Sequence, residues 1–91
     1  MSHILCIDLG TSVCKSAIYD LEFNPEGRGY GEITTHFPRP SWAEQEAEGW
    51  WTASREAIGE SFRTSGIKPE DIAGVGVCGQ GHGPVLLDAE R

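Results

Sequence analysis

The sequence predicts a mixed α/β fold with the element order β-β-β-α-β-β. Three observations carry this prediction: short apolar runs bounded by turn residues, one amphipathic stretch in the middle of the chain, and glycine-rich turns between the runs. A helix that connects two strands of one sheet brings them parallel through a right-handed crossover. We therefore expect a mixed sheet, in which the first strand following the helix runs parallel to the first strand of the chain.

The first three strands are expected to form an antiparallel meander. The run Ile4–Leu9 is almost wholly apolar and ends at Gly10, which is typical of a strand covered on both faces. Val13–Asp20 follows the turn and is expected to pair with the first strand as a hairpin. A second turn at Asn24–Gly27 precedes a weaker third strand, which we place at Tyr30–Thr35.

One helix is expected at Ala47–Ser65. Trp51, Ile58 and Phe62 recur there at helical spacing, which predicts one buried stripe with a charged reverse face. The residues flanking these three in the stripe are Trp50, Ser54, Ala57 and Ser61. Trp51 is therefore expected to be a core residue rather than a platform for a sugar. Gly66 follows the last periodic residue and is expected to end the helix.

Two further strands are expected after the helix. Pro69 begins a single helical turn, and the apolar run Ala73–Cys78 is the fourth strand. A glycine-rich loop at residues 79–83 separates it from a short last strand at Pro84–Leu87. An uncovered sheet edge is a liability, so we expect the isolated segment to be marginally stable or to associate.

The composition excludes several classes of partner. A net charge of −7 makes nucleic acid and anionic membrane surfaces poor partners. The longest apolar run, residues 4–7, is far short of the ~20 residues that span a bilayer, and no signal-peptide pattern is present. The three cysteines form no C-x-x-C pair and no closed disulfide framework. We therefore expect a cytoplasmic protein without membrane or nucleic-acid partners.

The turn after the first strand is the first candidate functional segment. Because side chains alternate along a strand, Asp8 projects on the same face as Ile4 and Cys6. It lies at the carboxyl end of the strand, where a carboxylate can hold a hydrated divalent cation. Hydroxyl donors, a cation and a glycine follow, and this set suits the β- and γ-phosphates of a nucleotide. These residues are Gly10, Thr11, Ser12 and Lys15. On spacing alone, an ordinary hairpin turn remains the alternative.

The loop at residues 79–83 is the second candidate. Gln80 and His82 can each donate and accept hydrogen bonds, which suits a polyhydroxylated ligand, although a flexible connection has the same composition. Residues 74–79 match the glycine pattern of dinucleotide-binding loops. We reject that match because the glycines lie within an expected strand and no helix begins after them.

Three segments taken together resemble the amino terminus of the FGGY carbohydrate kinases. They are D-L-G-T-S-V-C-K at residues 8–15, W-A-E-Q-E-A-E-G-W-W at residues 42–51 and G-V-G-V-C-G-Q-G-H-G-P-V-L-L-D at residues 74–88. The chain looks most similar to the xylulokinase-like branch, which carries a similar W-x-E-Q segment, a W-W pair and a G-Q-x-H-G loop. The resemblance covers essentially the whole chain.

The resemblance implies an actin-like, ribonuclease-H-like ATPase fold, with residues 1–91 as an incomplete, amino-terminal part of the first of two lobes. It also implies that ATP and Mg²⁺ phosphorylate a hydroxyl of a small sugar or polyol, in a parent for which a homodimer is one expected assembly. By resemblance, Asp8 would act near the reacting phosphoryl group and hold Mg²⁺ through water. The phosphate loop would be Gly10, Thr11, Ser12 and Lys15, and the sugar-facing residues would be Gln80, Gly81 and His82.

Two departures from the family pattern qualify these expectations. Gly81 stands where many xylulokinase-like members carry a bulky residue, often methionine, so the identity of the sugar stays open. The family's catalytic aspartate and adenine-binding lobe lie later in its longer chains, so we expect residues 1–91 alone to be inactive. The alternatives are an actin- or Hsp70-like ATPase module, which would use the same loop for conformational work, and a non-catalytic binding fragment.

Overall fold

The computed structural model describes residues 2–81 and 83–90, which contain a four-stranded mixed sheet and one long helix. The strands are β1 (His3–Leu9), β2 (Val13–Asp20), β3 (Pro25–Glu32) and β4 (Ile72–Gly79), the helix is α1 (Ala47–Ser65), and a 3₁₀ turn spans Pro69–Asp71. The sheet order is β3-β2-β1-β4, with antiparallel pairs β1–β2 and β2–β3 and a parallel pair β1–β4. The predicted meander and the parallel return after the helix are confirmed.

The bounds of α1 agree with the predicted helix. The backbone of Gly66 is left-handed, with φ at 72°, and its amide donates to the carbonyl oxygen of Phe62 at 3.0 Å. Such a conformation is open to glycine without a steric penalty, which is why the helix ends there. Among the described residues, no helix is long and apolar enough to cross a membrane.

The predicted buried stripe of α1 is right at its flanking residues Ala57 and Ser61 and wrong at its centre. Ala53, Ala57 and Ser61 form the buried face of the helix, whereas Trp51 is 62% exposed. Ile58 and Phe62 are only half-buried. The helix therefore meets the sheet through small side chains, and the prediction that Trp51 belongs to the core is corrected.

The glycines of β3 explain this choice of helix face. Gly27, Gly29 and Gly31 alternate along the strand and are all buried beneath α1. A Cβ atom on Gly29 would overlap the carbonyl oxygen of Ala57, and one on Gly31 would overlap that of Ala53. The helix backbone thus rests directly on the strand backbone, and bulky side chains have no room between them.

β3 begins earlier than predicted and ends before Thr35. Residues Pro25–Glu32 pair with β2, although the region contains Gly27, Gly29 and Gly31, which weaken the sequence signal for a strand. The sequence prediction of Tyr30–Thr35 lies too far along the chain, because residues with high strand propensity follow the glycines. Packing beneath α1 supplies the stabilisation that the glycines lack locally.

The predicted last strand at Pro84–Leu87 is wrong. The described residues 83–88 form no ladder with β4 or with any other strand, and Leu86 is 94% exposed. A strand is stabilised by a partner that binds its backbone groups and by a surface on which its side chains pack. Neither is available to residues 83–88 within the described part of the chain.

The core lies between α1 and the β2–β3 side of the sheet. Its buried cluster is Cys14, Ile33, Ala53 and Ala57, and Ile7, Leu9 and Trp50 pack against it. β4 lies beyond the reach of the helix. Val75 and Val77, on the sheet face that α1 covers elsewhere, are therefore 59% and 72% exposed. The end of the sheet at which β1 and β4 meet is therefore open.

Candidate functional site

The two predicted ligand loops lie side by side at one edge of the sheet. β1 and β4 are parallel, and Leu9 is paired with Gly79, so the residues that follow each strand leave the sheet next to one another. The side-chain Nε2 of Gln80 donates to the carbonyl oxygen of Gly10 at 3.0 Å. The turn after β1 and the loop after β4 are therefore in direct contact.

The turn after β1 consists of Gly10, Thr11 and Ser12. The amide of Gly10 donates to the carbonyl oxygen of Val13 at 3.1 Å, and a Cβ on Gly10 would lie only 2.8 Å from that same oxygen. A side chain at this position would therefore force the turn open. The carbonyl oxygen of Ser12 accepts from the amide of Ile33 at 3.0 Å. The side chains of Thr11 and Ser12 are exposed, while backbone hydrogen bonds hold the turn on which they lie.

Asp8 and Lys15 are paired across β1 and β2, on the sheet face that points away from α1. Both are exposed, and both line an open cavity of about 580 Å³ on that face, together with Tyr19, Tyr30 and Cys78. The cavity thus has a carboxylate and an ammonium group at the end nearest the turn. This pairing suits a ligand that carries both a cation and an anionic phosphate.

The donor set around Asp8 fits a magnesium ion that keeps most of its waters. Within residues 2–81 and 83–90, no three His, Cys, Asp or Glu side chains are grouped so that they could hold a metal ion. Among the described residues, Asp8 therefore has at most one such side chain beside it that could share a metal ion. Mg²⁺ is commonly bound through one or two carboxylates, several waters and substrate phosphates, so this donor set is compatible with the ion.

Gln45 joins the two loops, and the sequence prediction did not include it among the site residues. Its Nε2 donates to the carbonyl oxygen of Thr11 and to Oγ1 of Thr35, both at 2.7 Å. Its Oε1 accepts from Nε1 of Trp50 at 2.8 Å and from Nε2 of Gln80 at 3.0 Å. The W-x-E-Q segment marked this region in the sequence, but the pattern carried no information about which groups the glutamine contacts.

The sugar-facing prediction covers three residues after β4, of which the structure describes two. The side-chain Nε2 of Gln80 donates to Gly10 and to Gln45. Among the contacts of the described residues, its Oε1 has no donor and can accept from a ligand. Gly81 is exposed, and a Cβ there would meet nothing within 4 Å. His82 lies outside the described residues, so its role stays a prediction.

A protein-family model matches almost the whole chain. Residues 3–91 match the model of the N-terminal domain of the FGGY family of carbohydrate kinases. The chain belongs to the FGGY family. This FGGY segment is 36% identical over 88 residues to the glycerol kinase of Ligilactobacillus salivarius, an alignment that covers 97% of the segment and 18% of the relative.

Two solved structures are also similar to the FGGY segment. A xyloylose kinase from Brucella ovis is 40% identical, with a TM-score of 0.89, over 97% of this chain and 18% of that protein. The xylulose kinase from Rhodospirillum rubrum is 26% identical, with a TM-score of 0.82, over the same shares of 97% and 18%. These likenesses confirm the predicted actin-like ATPase fold. The segment spans less than a fifth of the length of these relatives.

Proposed function

We propose that the protein containing residues 1–91 transfers a phosphoryl group from ATP to a hydroxyl of a sugar or polyol. In this proposal the segment belongs to the first lobe and supplies a phosphate loop and a sugar-facing loop. The hydrogen bond between Gln80 and Gly10 is the observation that supports it most strongly. Direct transfer requires the reacting atoms to meet at about 3–3.5 Å, and loops in contact with one another suit that requirement.

The phosphate loop would act through charge and hydrogen bonding. Asp8 would hold Mg²⁺ through water, and the ion, when bound, neutralises negative charge on the phosphates. Thr11 and Ser12 would donate their hydroxyl protons to phosphate oxygens, while Lys15 adds a positive charge on the same sheet face as Asp8. Because the turn is held by backbone hydrogen bonds, these donors need little reorganisation as charge develops.

The sugar-facing loop would recognise the acceptor through Gln80, Gly81 and His82. The Oε1 of Gln80 can accept from a sugar hydroxyl while the two amide protons stay on the neighbouring groups. The absent side chain at Gly81 leaves open space at this position. The base that deprotonates the attacking hydroxyl is expected in a later part of a longer chain, so residues 1–91 alone would be inactive.

The experiment is an assay of ADP release by the full-length protein with ATP and Mg²⁺. The acceptor panel includes glycerol, xylulose and gluconate with other pentoses, ketoses and polyols. At least one acceptor is expected to stimulate release, and Lys15→Met is expected to weaken that stimulation. A folded protein that no sugar or polyol stimulates would contradict the proposal. Calorimetry on residues 1–91 alone is expected to detect no micromolar binding of nucleotide or sugar.

His82→Ala separates the proposed kinase from an ATPase module of the actin or Hsp70 kind. In a kinase, the substitution is expected to change the dependence of ADP release on the sugar. In a conformational ATPase, basal hydrolysis is expected to continue unchanged, with no sugar dependence to lose. A cytoplasmic setting and a homodimeric parent stay predictions, for which fractionation and sedimentation of the full-length protein are the tests.

A further inference from the structure

We propose that Gln45 is a positioning residue that sets the distance between the phosphate loop and the sugar-facing loop. The inference rests on the proposed function for the identity of the ligands, but its geometry comes from contacts within this chain. Gln45 donates to Thr11 of the first loop and accepts from Gln80 of the second. Among the described residues, no other side chain outside the two loops bonds to both of them. Gln80, which belongs to the second loop, bonds directly to Gly10 of the first.

The amide of Gln45 uses its full hydrogen-bonding capacity. A primary amide has two N–H donors and an oxygen with two lone pairs. Both donors have acceptors at 2.7 Å, and the oxygen receives donors at 2.8 and 3.0 Å. A glutamate of the same length retains the acceptor oxygens but has no proton to donate. It would turn a carboxylate oxygen towards the carbonyl oxygen of Thr11.

The bonds between the two loops form a closed ring. Gln80 donates to the carbonyl oxygen of Gly10 and to Gln45, while Gln45 donates to the carbonyl oxygen of Thr11, the next residue along the turn. A displacement of one loop relative to the other therefore breaks at least two of these hydrogen bonds. The ring resists sliding and separation more than a single contact would.

Two further contacts anchor the ring to the folded body. Trp50 packs against the core cluster and donates its indole proton to Gln45. The backbone just before Gln45 is held by an isolated bridge, in which the amides of His36 and Glu44 donate to each other's carbonyl oxygens at 2.7 and 2.9 Å. Gln45 thus connects both loops to a residue that packs on the core.

This arrangement predicts an effect on turnover rather than on binding. Each loop can keep its own ligand contacts when Gln45 is altered, but the distance between the two ligands is no longer fixed. A misplacement of about 1 Å between reacting groups can lower the rate by about 100-fold. An interaction that aligns the reactants without adding ligand contacts is expected to change kcat more than KM.

The test compares Gln45→Glu with Trp50→Phe in the full-length protein. Gln45→Glu removes the bond to the phosphate loop. Trp50→Phe removes only the indole bond to the same side-chain amide, keeps an aromatic side chain against the core cluster, and leaves both loop bonds in place. Gln45→Glu is expected to lower kcat by about 10- to 100-fold while both KM values change by less than about 3-fold. Trp50→Phe is expected to keep kcat within about 3-fold of the wild type. Gln45→Met, which is neutral and of similar length, serves if the glutamate variant does not fold.

Hydrogen–deuterium exchange of the same preparations gives a readout that does not depend on activity. Amides of the turn at residues 10–13 are expected to exchange faster in Gln45→Glu than in Trp50→Phe, because the turn loses its bond from Gln45. If no sugar stimulates the wild type, the proposed function fails, and the exchange experiment still decides whether Gln45 holds the turn. Unchanged exchange in Gln45→Glu overturns the inference. So does an unchanged kcat per folded molecule, whether KM rises or only stability is lost.

Discussion

Replacing Gly29 by alanine is expected to destabilise the chain by about 3 kcal/mol, because the added methyl group would push α1 away from β3. Gly29 lies in the middle of β3, directly beneath the helix. Its new Cβ would lie 2.8 Å from the carbonyl carbon of Ala57 and 2.9 Å from the Cβ of Glu60, with the carbonyl oxygen closer still.

The magnitude follows from what must move. Ordinary contacts of a Cβ lie at 3.4–4 Å, so clearing the carbonyl carbon alone requires the helix backbone to retreat by about 0.6 Å, and the closer carbonyl oxygen requires a larger shift. A change of side-chain rotamer cannot relieve the overlap, since the opposing atoms are main-chain atoms of Ala57 and the Cβ of Glu60, which no rotamer change moves. The retreat would loosen the packing of Ala53 and Ala57, which are 1% and 0% exposed. Overpacking of this kind costs about 1–3 kcal/mol, and the backbone contact puts Gly29 at the upper end.

The assay is thermal and urea denaturation of the 91-residue chain, followed by circular dichroism. A loss of about 3 kcal/mol corresponds to a fall in Tm of about 12–24 °C for a domain of this size. Gly76→Ala is the matched control, because Gly76 also lies within a strand but its Cβ would meet nothing within 4 Å. The control is expected to be neutral or slightly stabilising. Equal midpoints for the two variants would refute direct packing of α1 on β3.

Three further predictions test other parts of the fold. Trp51→Ala is expected to leave the urea midpoint nearly unchanged, whereas Trp50→Ala is expected to lower the free energy of unfolding by about 2–3 kcal/mol because Trp50 packs on the core. A larger loss for Trp51→Ala than for Trp50→Ala would support the buried position of Trp51 predicted from the sequence. Phe23 has a φ of 65° and is 74% exposed, so Phe23→Gly is expected to raise the free energy of unfolding by about 0.5–1 kcal/mol. A lower free energy of unfolding in urea denaturation would contradict backbone strain at this position. Hydrogen bonds from the backbone and side chain of Asn24 lower the pKa of Asp20 from its usual 3.8, so its contribution to stability is present above that value and is lost as the pH falls through the lower, folded-state pKa. Asp20→Asn is therefore expected to flatten the acid limb of the stability profile, and identical acid limbs would show that these bonds contribute nothing.

The helix illustrates both what the sequence could predict and what it could not. Its limits were predictable because Ser65 is followed by Gly66, whose left-handed backbone ends a helix wherever it is placed. Its buried face was predictable only in part, because periodicity places Ala57 and Ser61 beside the stripe but favours the large apolar residues for its centre. The face is decided by β3, whose glycines admit the helix backbone itself.

The candidate site divides in the same way. The motifs at residues 8–15 and 79–83 were visible because glycines, hydroxyls and a carboxylate occur there in a short stretch. Gln45 was not visible as a site residue, since its partners Thr11 and Gln80 lie 34 and 35 residues away along the chain. Only the folded chain brings their hydrogen-bonding groups within reach of one amide.

By itself, the sequence determined the class of fold, the extent of the helix, the hairpin of β1 and β2 and the family to which the chain belongs. These properties depend on local signals: apolar runs, a helix-ending glycine and short motifs in a fixed order. The tertiary structure alone decided which side of α1 is buried, where β3 begins and how the two loops are joined. Those properties depend on close contact between segments distant in the chain, and steric fit and hydrogen-bond geometry exist only once the segments have met.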